Sequence, residues 1–137
     1  MRHIVFSSIF VLVFAVCLSI VGSNPNLAVA DDSLDGKTFS VKINEHGKDG
    51  EARDDEIIFK DGTFFSTDCE QYGFSAAPYE HRTKDGATMF ITSSTSEKEG
   101  EIQWEGKVEG DEIFGTMIWS KAGQEAIFYK YKGSLKK

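Results

Sequence analysis

Apolar and polar residues alternate with a period of two along much of the chain after residue 36. In residues 37–44, Phe39, Val41 and Ile43 fall on one face and polar side chains on the other. The runs at 101–109 and 125–135 alternate in the same way. This period is typical of half-buried β-strands, and no window has a long helical stripe. The pattern therefore predicts an all-β protein.

Glycine-containing turn pairs separate the alternating runs. Asp-Gly occurs at 61–62 and 85–86, and Gly-Asp occurs at 110–111. Such pairs suit two-residue hairpin turns, because glycine adopts positive φ at low cost. A longer polar stretch predicts a loop between the first two strands. The predicted strands are 37–44, 55–60, 63–69, 78–84, 87–95, 101–109, 112–120 and 125–135.

Eight strands joined mostly by hairpins form an antiparallel meander. Such a meander closes most simply into an up-and-down barrel, because closure removes exposed edges. A small β-sandwich is the alternative. Gly73 and Pro78 bracket a short run of mostly small residues, which predicts an irregular connection. This connection is either an ordinary loop or a flap over one mouth of the barrel.

The first thirty residues have a different pattern. A short basic head precedes a long uncharged apolar run, and Ala28 and Ala30 match the small residues of a signal-peptidase site. This order predicts a helical signal peptide at 1–30 and one β-barrel domain at 31–137. A retained membrane helix is the alternative, since the run approaches the roughly 20 residues that span a bilayer. We expect export to the periplasm or the extracellular space, without membrane attachment after cleavage.

The net charge and the spacing of possible metal ligands limit the classes of partner that we expect for this protein. Removing residues 1–30 takes away one of 15 basic residues and none of 22 acidic ones, which leaves a net charge of −8. An acidic surface disfavours nucleic acids and anionic membranes, whose phosphates are bound by Lys and Arg. No C-x-x-C or H-x-x-x-H spacing suggests a metal site, and we expect no cofactor.

Cys69 raises a question of chemistry. Cys17 lies within the predicted signal peptide, so Cys69 has no partner for an internal disulfide after cleavage. As a reactive thiol it would need a base, for which His81 is the candidate. Asp68 and Glu70 flank it and would disfavour the thiolate. The alternatives are a buried, inert side chain or a disulfide to another chain.

Aromatic residues are the feature most relevant to binding. The sequence contains 11 Phe, 4 Tyr and 2 Trp residues. The interior of an eight-stranded barrel is either filled by side chains or holds one small ligand. Aromatic walls with a few polar groups are typical of ligand pockets. The candidate ligand-binding residues are Tyr72, Phe74, Tyr79, Trp104, Trp119 and Tyr129.

The strand order and aromatic content resemble those of a small calycin-type barrel, the superfamily of lipocalins and avidins. The lipocalin Gly-x-Trp element is replaced by the Gly36–Phe39 stretch "GKTF". The chain also resembles small exported bacterial proteins that share "LDGKTF", a central "C…YGF…PY" and "GTM.WSK.G". These resemblances imply a barrel fold and bring no functional residue.

Three functions follow as hypotheses. The leading one is a non-catalytic binding module for a small apolar or amphipathic ligand, inside or at the mouth of the barrel. The second is an envelope structural or protein-interaction role with a filled barrel, for which the sequence names no partner. The third is an enzyme that depends on Cys69.

Overall fold

The computed structural model describes residues 33–137, and the predicted signal peptide at 1–30 lies outside this range. Eight antiparallel strands form one closed barrel in sequence order. The strands are β1 (Thr38–Glu45), β2 (Arg53–Lys60), β3 (Thr63–Ser66), β4 (Ala77–Lys84), β5 (Ala87–Ser96), β6 (Gly100–Glu109), β7 (Glu112–Ser120) and β8 (Ile127–Leu135). The predicted up-and-down barrel is confirmed. The sandwich alternative is wrong, because β1 pairs with β8 and joins the first strand to the last.

Side-chain alternation directs the apolar residues inward as predicted. In β1, Phe39, Val41 and Ile43 are each at most 3% exposed. In β6, Ile102 and Trp104 are equally buried, while Gln103 between them faces solvent. The period of two thus assigns the inner face of these strands.

The hairpin turns have the backbone geometry that their residues predict. Asp61 and Gly62 have φ of 51° and 75°, and Asp85 and Gly86 have φ of 53° and 79°. Two successive positive φ angles are the signature of type I′ turns, whose twist matches that of the paired strands. Gly110 has φ of 57°, which suits the first position of a type II′ turn.

One predicted strand end is wrong. The third strand was expected to reach residue 69, but β3 ends at Ser66 and a helical turn, α1 (Thr67–Glu70), follows. The Ser66 side chain accepts a hydrogen bond from the Cys69 backbone N–H and caps this turn. Such a local bond competes with strand pairing. The other strand bounds differ from the predicted ones by at most two residues, and β7 matches its predicted range. Within residues 33–137, no helix has the length and apolar character needed to cross a membrane.

The two ends of the barrel differ. The turn end carries the three two-residue hairpin turns. The loop end carries the longer connections, at 46–52, 67–76, 97–99 and 121–126. Leu34, fully buried, belongs to the segment before β1 that covers the turn end. There the Gly36 N–H donates to the Phe59 carbonyl at 2.8 Å.

Aromatic rings fill the barrel from the turn end to its middle. Phe59 lies at their centre, with ring centroids of Phe39, Phe64, Tyr79 and Phe90 between 5.0 and 6.1 Å away. All four pairs are edge-on, an arrangement that stabilises aromatic contacts beyond their buried area.

Two facing glycines make room for the side chain of Tyr131 in the barrel interior. Gly106 and Gly115 face each other across β6 and β7, and the Tyr131 ring reaches over them. The Tyr131 hydroxyl donates to the Glu105 carbonyl at 2.9 Å. Burial raises the pKa of Tyr131, so this donor keeps its proton. A Cβ at Gly106 would lie 2.7 Å from the Phe90 ring and would collide with the Tyr131 hydroxyl.

Replacing Gly106 by alanine should therefore strain the barrel. We expect Gly106→Ala to lower the free energy of unfolding by about 1–3 kcal/mol, the usual effect of overpacking. Urea unfolding followed by circular dichroism measures it. Gly50→Ala is the matched control, since nothing lies within 4 Å of a Cβ there and its φ is not left-handed. Equal stability of the two variants would contradict this account.

Candidate functional site

A cavity of about 230 Å³ remains at the loop end, above the aromatic core. Its lining combines apolar walls with one basic and one acidic residue. The lining residues are Arg53, Cys69, Tyr72, Phe74, Glu99, Ile102, Met117, Trp119 and Tyr129. They come from four strands, β2, β6, β7 and β8, and from the connections between strands, so the cavity exists only in the closed barrel.

Strand alternation directs inward the side chains that form the floor and one wall of the cavity. Ile102 and Met117 are almost fully buried and face inward from β6 and β7. Trp119, two residues beyond Met117, faces the same side nearer the mouth. Its indole Nε1–H donates to the Glu99 carbonyl at 2.6 Å. This bond holds the ring in place and joins the loop after β5 to the cavity wall.

The connection from α1 to β4, residues 71–76, covers part of the mouth and is called the flap below. Phe74 is only 4% exposed and lines the cavity. The Ser96 hydroxyl donates to the Tyr72 carbonyl at 2.7 Å. Gly73 has φ of 84°, and a Cβ there would lie 2.9 Å from the Ser96 Oγ. Glycine is therefore required where the flap meets β5.

A buried carboxylate anchors the base of the flap. Asp55, which is 5% exposed, lies near the start of β2. It accepts hydrogen bonds from the Ser66 hydroxyl at 2.5 Å, the Thr67 hydroxyl at 3.1 Å and the Asp68 backbone N–H at 2.9 Å. Buried carboxylates need such donors to offset lost hydration. The network ties α1 to β2 and places Cys69 under the mouth.

Arg53 lies at the rim between two partners. Its Nη1 lies 3.1 Å from Asp68 Oδ2, and its guanidinium carbon lies 5.6 Å from the ring centroid of Tyr129. Asp68 Oδ2 is shielded from solvent and receives no well-directed hydrogen bond within residues 33–137. The ion pair with Arg53 balances the charge of this carboxylate. The Arg53 side chain remains 44% exposed and keeps free donors at the rim.

Tyr129 is one of the lining residues of the cavity. Burial raises the pKa of Tyr129, and Arg53 only partly opposes that effect. The hydroxyl therefore stays protonated and can donate. Within residues 33–137 no protein group is hydrogen-bonded to it, so it remains available to a ligand.

Cys69 is buried, with 6% of its surface exposed. Burial raises the pKa of the Cys69 thiol to about 11, the nearby carboxylates of Asp55 and Asp68 add to the effect, and a bond from Ser66 only partly opposes it. His81 is exposed on β4, its ring 5.7 Å from that of Tyr79, and it is not among the groups that act on the thiol. The structure does not bring the two candidate residues together.

Four of the six candidate ligand-binding residues line the cavity, namely Tyr72, Phe74, Trp119 and Tyr129. The other two lie elsewhere. Trp104 is buried in the core, against the rings of Phe64 and Tyr131. Tyr79 lies near the turn end, where its hydroxyl donates to Asp35 Oδ1 at 2.7 Å.

Sequence reasoning missed four lining residues. The alternation that marked Trp104 and Trp119 could have identified Ile102 and Met117, which share their inner faces. Arg53 gave no signal, because it was assigned to a polar loop and not to β2. Glu99 contributes through a loop, whose position no periodicity predicts.

The comparisons with known proteins give no relative. No protein-family model matches the chain, and neither the curated proteins nor the solved structures contain a match. Within residues 33–137 there is also no group of three or more His, Cys, Asp or Glu side chains arranged to hold a metal ion.

Removing the Asp55 carboxylate should destabilise the loop end. Asp55→Asn places an amide against three donors, and we expect a loss of about 3 kcal/mol in the free energy of unfolding. Asp54→Asn is the control, because that neighbour is exposed and forms a surface ion pair with Lys42, so a change within about 0.5 kcal/mol is expected. Urea unfolding measures both. A neutral Asp55→Asn would show that the network contributes nothing.

The Cys69 thiol should be inert in the folded protein. With its pKa raised to about 11, little thiolate exists at pH 8, and burial blocks access. We expect iodoacetamide to react with Cys69 of the folded protein at least about a hundredfold more slowly than with Cys69 of the urea-unfolded chain. In the unfolded chain the thiol has an ordinary pKa of about 8.5. Mass spectrometry follows the labelling. Comparable rates in the two states would contradict this assignment.

Proposed function

We propose that the protein is an exported, non-catalytic binding module that takes one small apolar or amphipathic ligand at the mouth of its barrel. The observation that carries this proposal is the cavity of about 230 Å³, which four aromatic side chains line at the loop end. The export part rests on the signal-peptide pattern of residues 1–30. The calycin-type resemblance is part of the same proposal and is supported by the closed antiparallel barrel.

The volume limits the ligand. An apolar cavity of about 150 Å³ holds one benzene molecule, whereas drug-sized ligands occupy about 300–1,000 Å³. The space here suits a single ring, or a short aliphatic chain, with a small polar substituent. A long acyl chain would not fit, because aromatic side chains fill the barrel below the floor formed by Ile102 and Met117.

The polar groups at the cavity suggest how the ligand is oriented. Arg53 and the Tyr129 hydroxyl are donors, and the Cys69 thiol keeps its proton. The Glu99 carboxylate is held by Lys121 at 3.2 Å. An acceptor such as a carbonyl or carboxylate would therefore point toward Arg53, with the apolar part of the ligand against Trp119 and Phe74.

Binding is favoured over catalysis by the state of Cys69. A buried thiol with a raised pKa is a poor nucleophile, since thiolate is the reactive form. A protein-interaction role is the second candidate. The observation in its favour is the exposure of large apolar side chains on the outer surface, where Met89, Ile91 and Phe128 are each more than half exposed.

Binding of single-ring probes tests the proposal. We expect phenylacetate or benzyl alcohol to change the fluorescence of Trp119, which lines the cavity, and to leave Trp104 unaffected. Variants Trp119→Phe and Trp104→Phe separate the two emissions. Absence of saturable binding by either probe would contradict the proposal.

A matched pair of substitutions locates the site. Tyr129→Ala should weaken probe binding by about tenfold, because it removes one aromatic wall and one donor. Phe128→Ala changes the adjacent residue, which is 54% exposed on the outer face, and should leave the affinity unchanged. Circular dichroism confirms that both variants are folded. Equal effects on affinity would place the binding site elsewhere.

A further inference from the structure

Among residues 33–137, two charged side chains line the cavity, Arg53 and Glu99, and their ion pairs differ. The Nζ of Lys121 donates a hydrogen bond to Glu99 Oε2 at 3.2 Å. Arg53 lies 3.1 Å from Asp68 Oδ2, but this oxygen receives no directed hydrogen bond from any described residue. The charge of Glu99 thus has a hydrogen-bonded partner, whereas the N–H groups of Arg53 are not committed to Asp68.

The guanidinium of Arg53 keeps donors for a ligand. It carries five N–H groups, and 44% of the side chain is exposed at the rim. Its central carbon lies 5.6 Å from the ring centroid of Tyr129. Arginine uses the face of its planar group against a ring and the edges for hydrogen bonds, so this contact leaves the donors available. Tyr129 and the charge of Asp68 therefore hold the guanidinium at the rim without using up its N–H groups.

We propose that Arg53 makes the cavity selective for ligands that carry one carboxylate. This inference rests on the binding function proposed above and names the chemical class of its ligand, a single-ring or short-chain monocarboxylic acid bound as its anion. The carboxylate lies against the Arg53 guanidinium at the rim. The apolar part of the molecule fills the cavity against Trp119 and Phe74.

Geometry and charge distinguish a carboxylate from other acceptors. Its two oxygens match two parallel N–H groups of a guanidinium, and such charge-assisted bonds are about twice as strong as neutral ones. A neutral amide or ketone offers one oxygen and no charge. A phosphate monoester carries a charge of about −1.5 to −2 near neutral pH. Because Asp68 already shares the charge of Arg53, a ligand with a single negative charge is the better match.

Three probes of similar size test this selectivity. Phenylacetate and phenylacetamide have nearly the same shape and differ in charge, and 2-phenylethylammonium carries the opposite charge. Isothermal titration calorimetry gives the Kd of each probe for the full chain. We expect phenylacetate to bind at least about tenfold more tightly than phenylacetamide. The ammonium probe should bind most weakly, because it meets the charge of Arg53.

Substitutions at Arg53 assign the selectivity to this residue. Arg53→Gln should weaken phenylacetate binding by at least about tenfold and change phenylacetamide binding by less than about threefold, so the two affinities converge. Retained phenylacetamide binding also shows that the variant is folded. Arg53→Lys keeps the charge without the planar fork and should keep only part of the selectivity. Arg82→Gln is the matched control, since it removes the same charge from an exposed residue of β4 outside the cavity and should leave both affinities unchanged.

The possible results separate this inference from the function on which it rests. Phenylacetamide binding as tightly as phenylacetate overturns the carboxylate selectivity and leaves the binding function standing. Selectivity that persists in Arg53→Gln overturns the assignment to Arg53. Tightest binding by 2-phenylethylammonium identifies Glu99 as the recognising group and likewise overturns the inference. Absence of binding by all three probes overturns both the inference and the proposed function.

Discussion

The structure depends on the pairing of β1 with β8. Seven residue pairs, from Phe39 with Leu135 to Glu45 with Tyr129, join the two ends of the meander. Gly133 is needed within this seam, because a Cβ there would collide with the Ser40 carbonyl. Closure turns an open sheet with one apolar face into a container of limited volume. Whether a ligand can bind becomes a question of how completely side chains fill that volume.

Side chains fill the barrel interior more completely at the turn end than at the loop end. Toward the turn end, Phe59 and its aromatic neighbours occupy the interior, and Tyr131 completes the layer over the Gly106–Gly115 pair. Toward the loop end, Ile102 and Met117 form a floor, and the side chains above it stand around the rim. The remaining space of about 230 Å³ is the basis for our proposal of a one-ring ligand, and it sets this barrel apart from one with an open interior.

Cys69 shows how position changes the meaning of a residue. In the sequence it is a solitary thiol beside acids and upstream of a histidine. In the fold, Asp55 and Ser66 turn the chain into α1 directly after β3 and carry the thiol beneath the mouth. Burial and the adjacent carboxylates keep it protonated, while His81 lies exposed on another strand. The thiol therefore acts as part of the cavity wall.

The period of two and the glycine turn pairs were enough to predict eight strands, their inner faces and a closed barrel, because both signals are local. They could not predict that β3 ends at Ser66, since the bonds of Asp55 to the α1 segment come from the neighbouring strand β2, 11 to 13 residues earlier in the chain. These local signals also could not distinguish the position of Trp119 from that of Trp104. Both side chains point into the barrel, and their depth along its axis decides that Trp119 lines the cavity while Trp104 packs in the core. The short pairing of β3 with β4, at Thr63–Pro78 and Phe64–Ala77, likewise depends on the stagger between neighbouring hairpins. Periodicity determines which side of a strand a residue faces, whereas register and stagger, set by packing across the closed barrel, determine what it meets there.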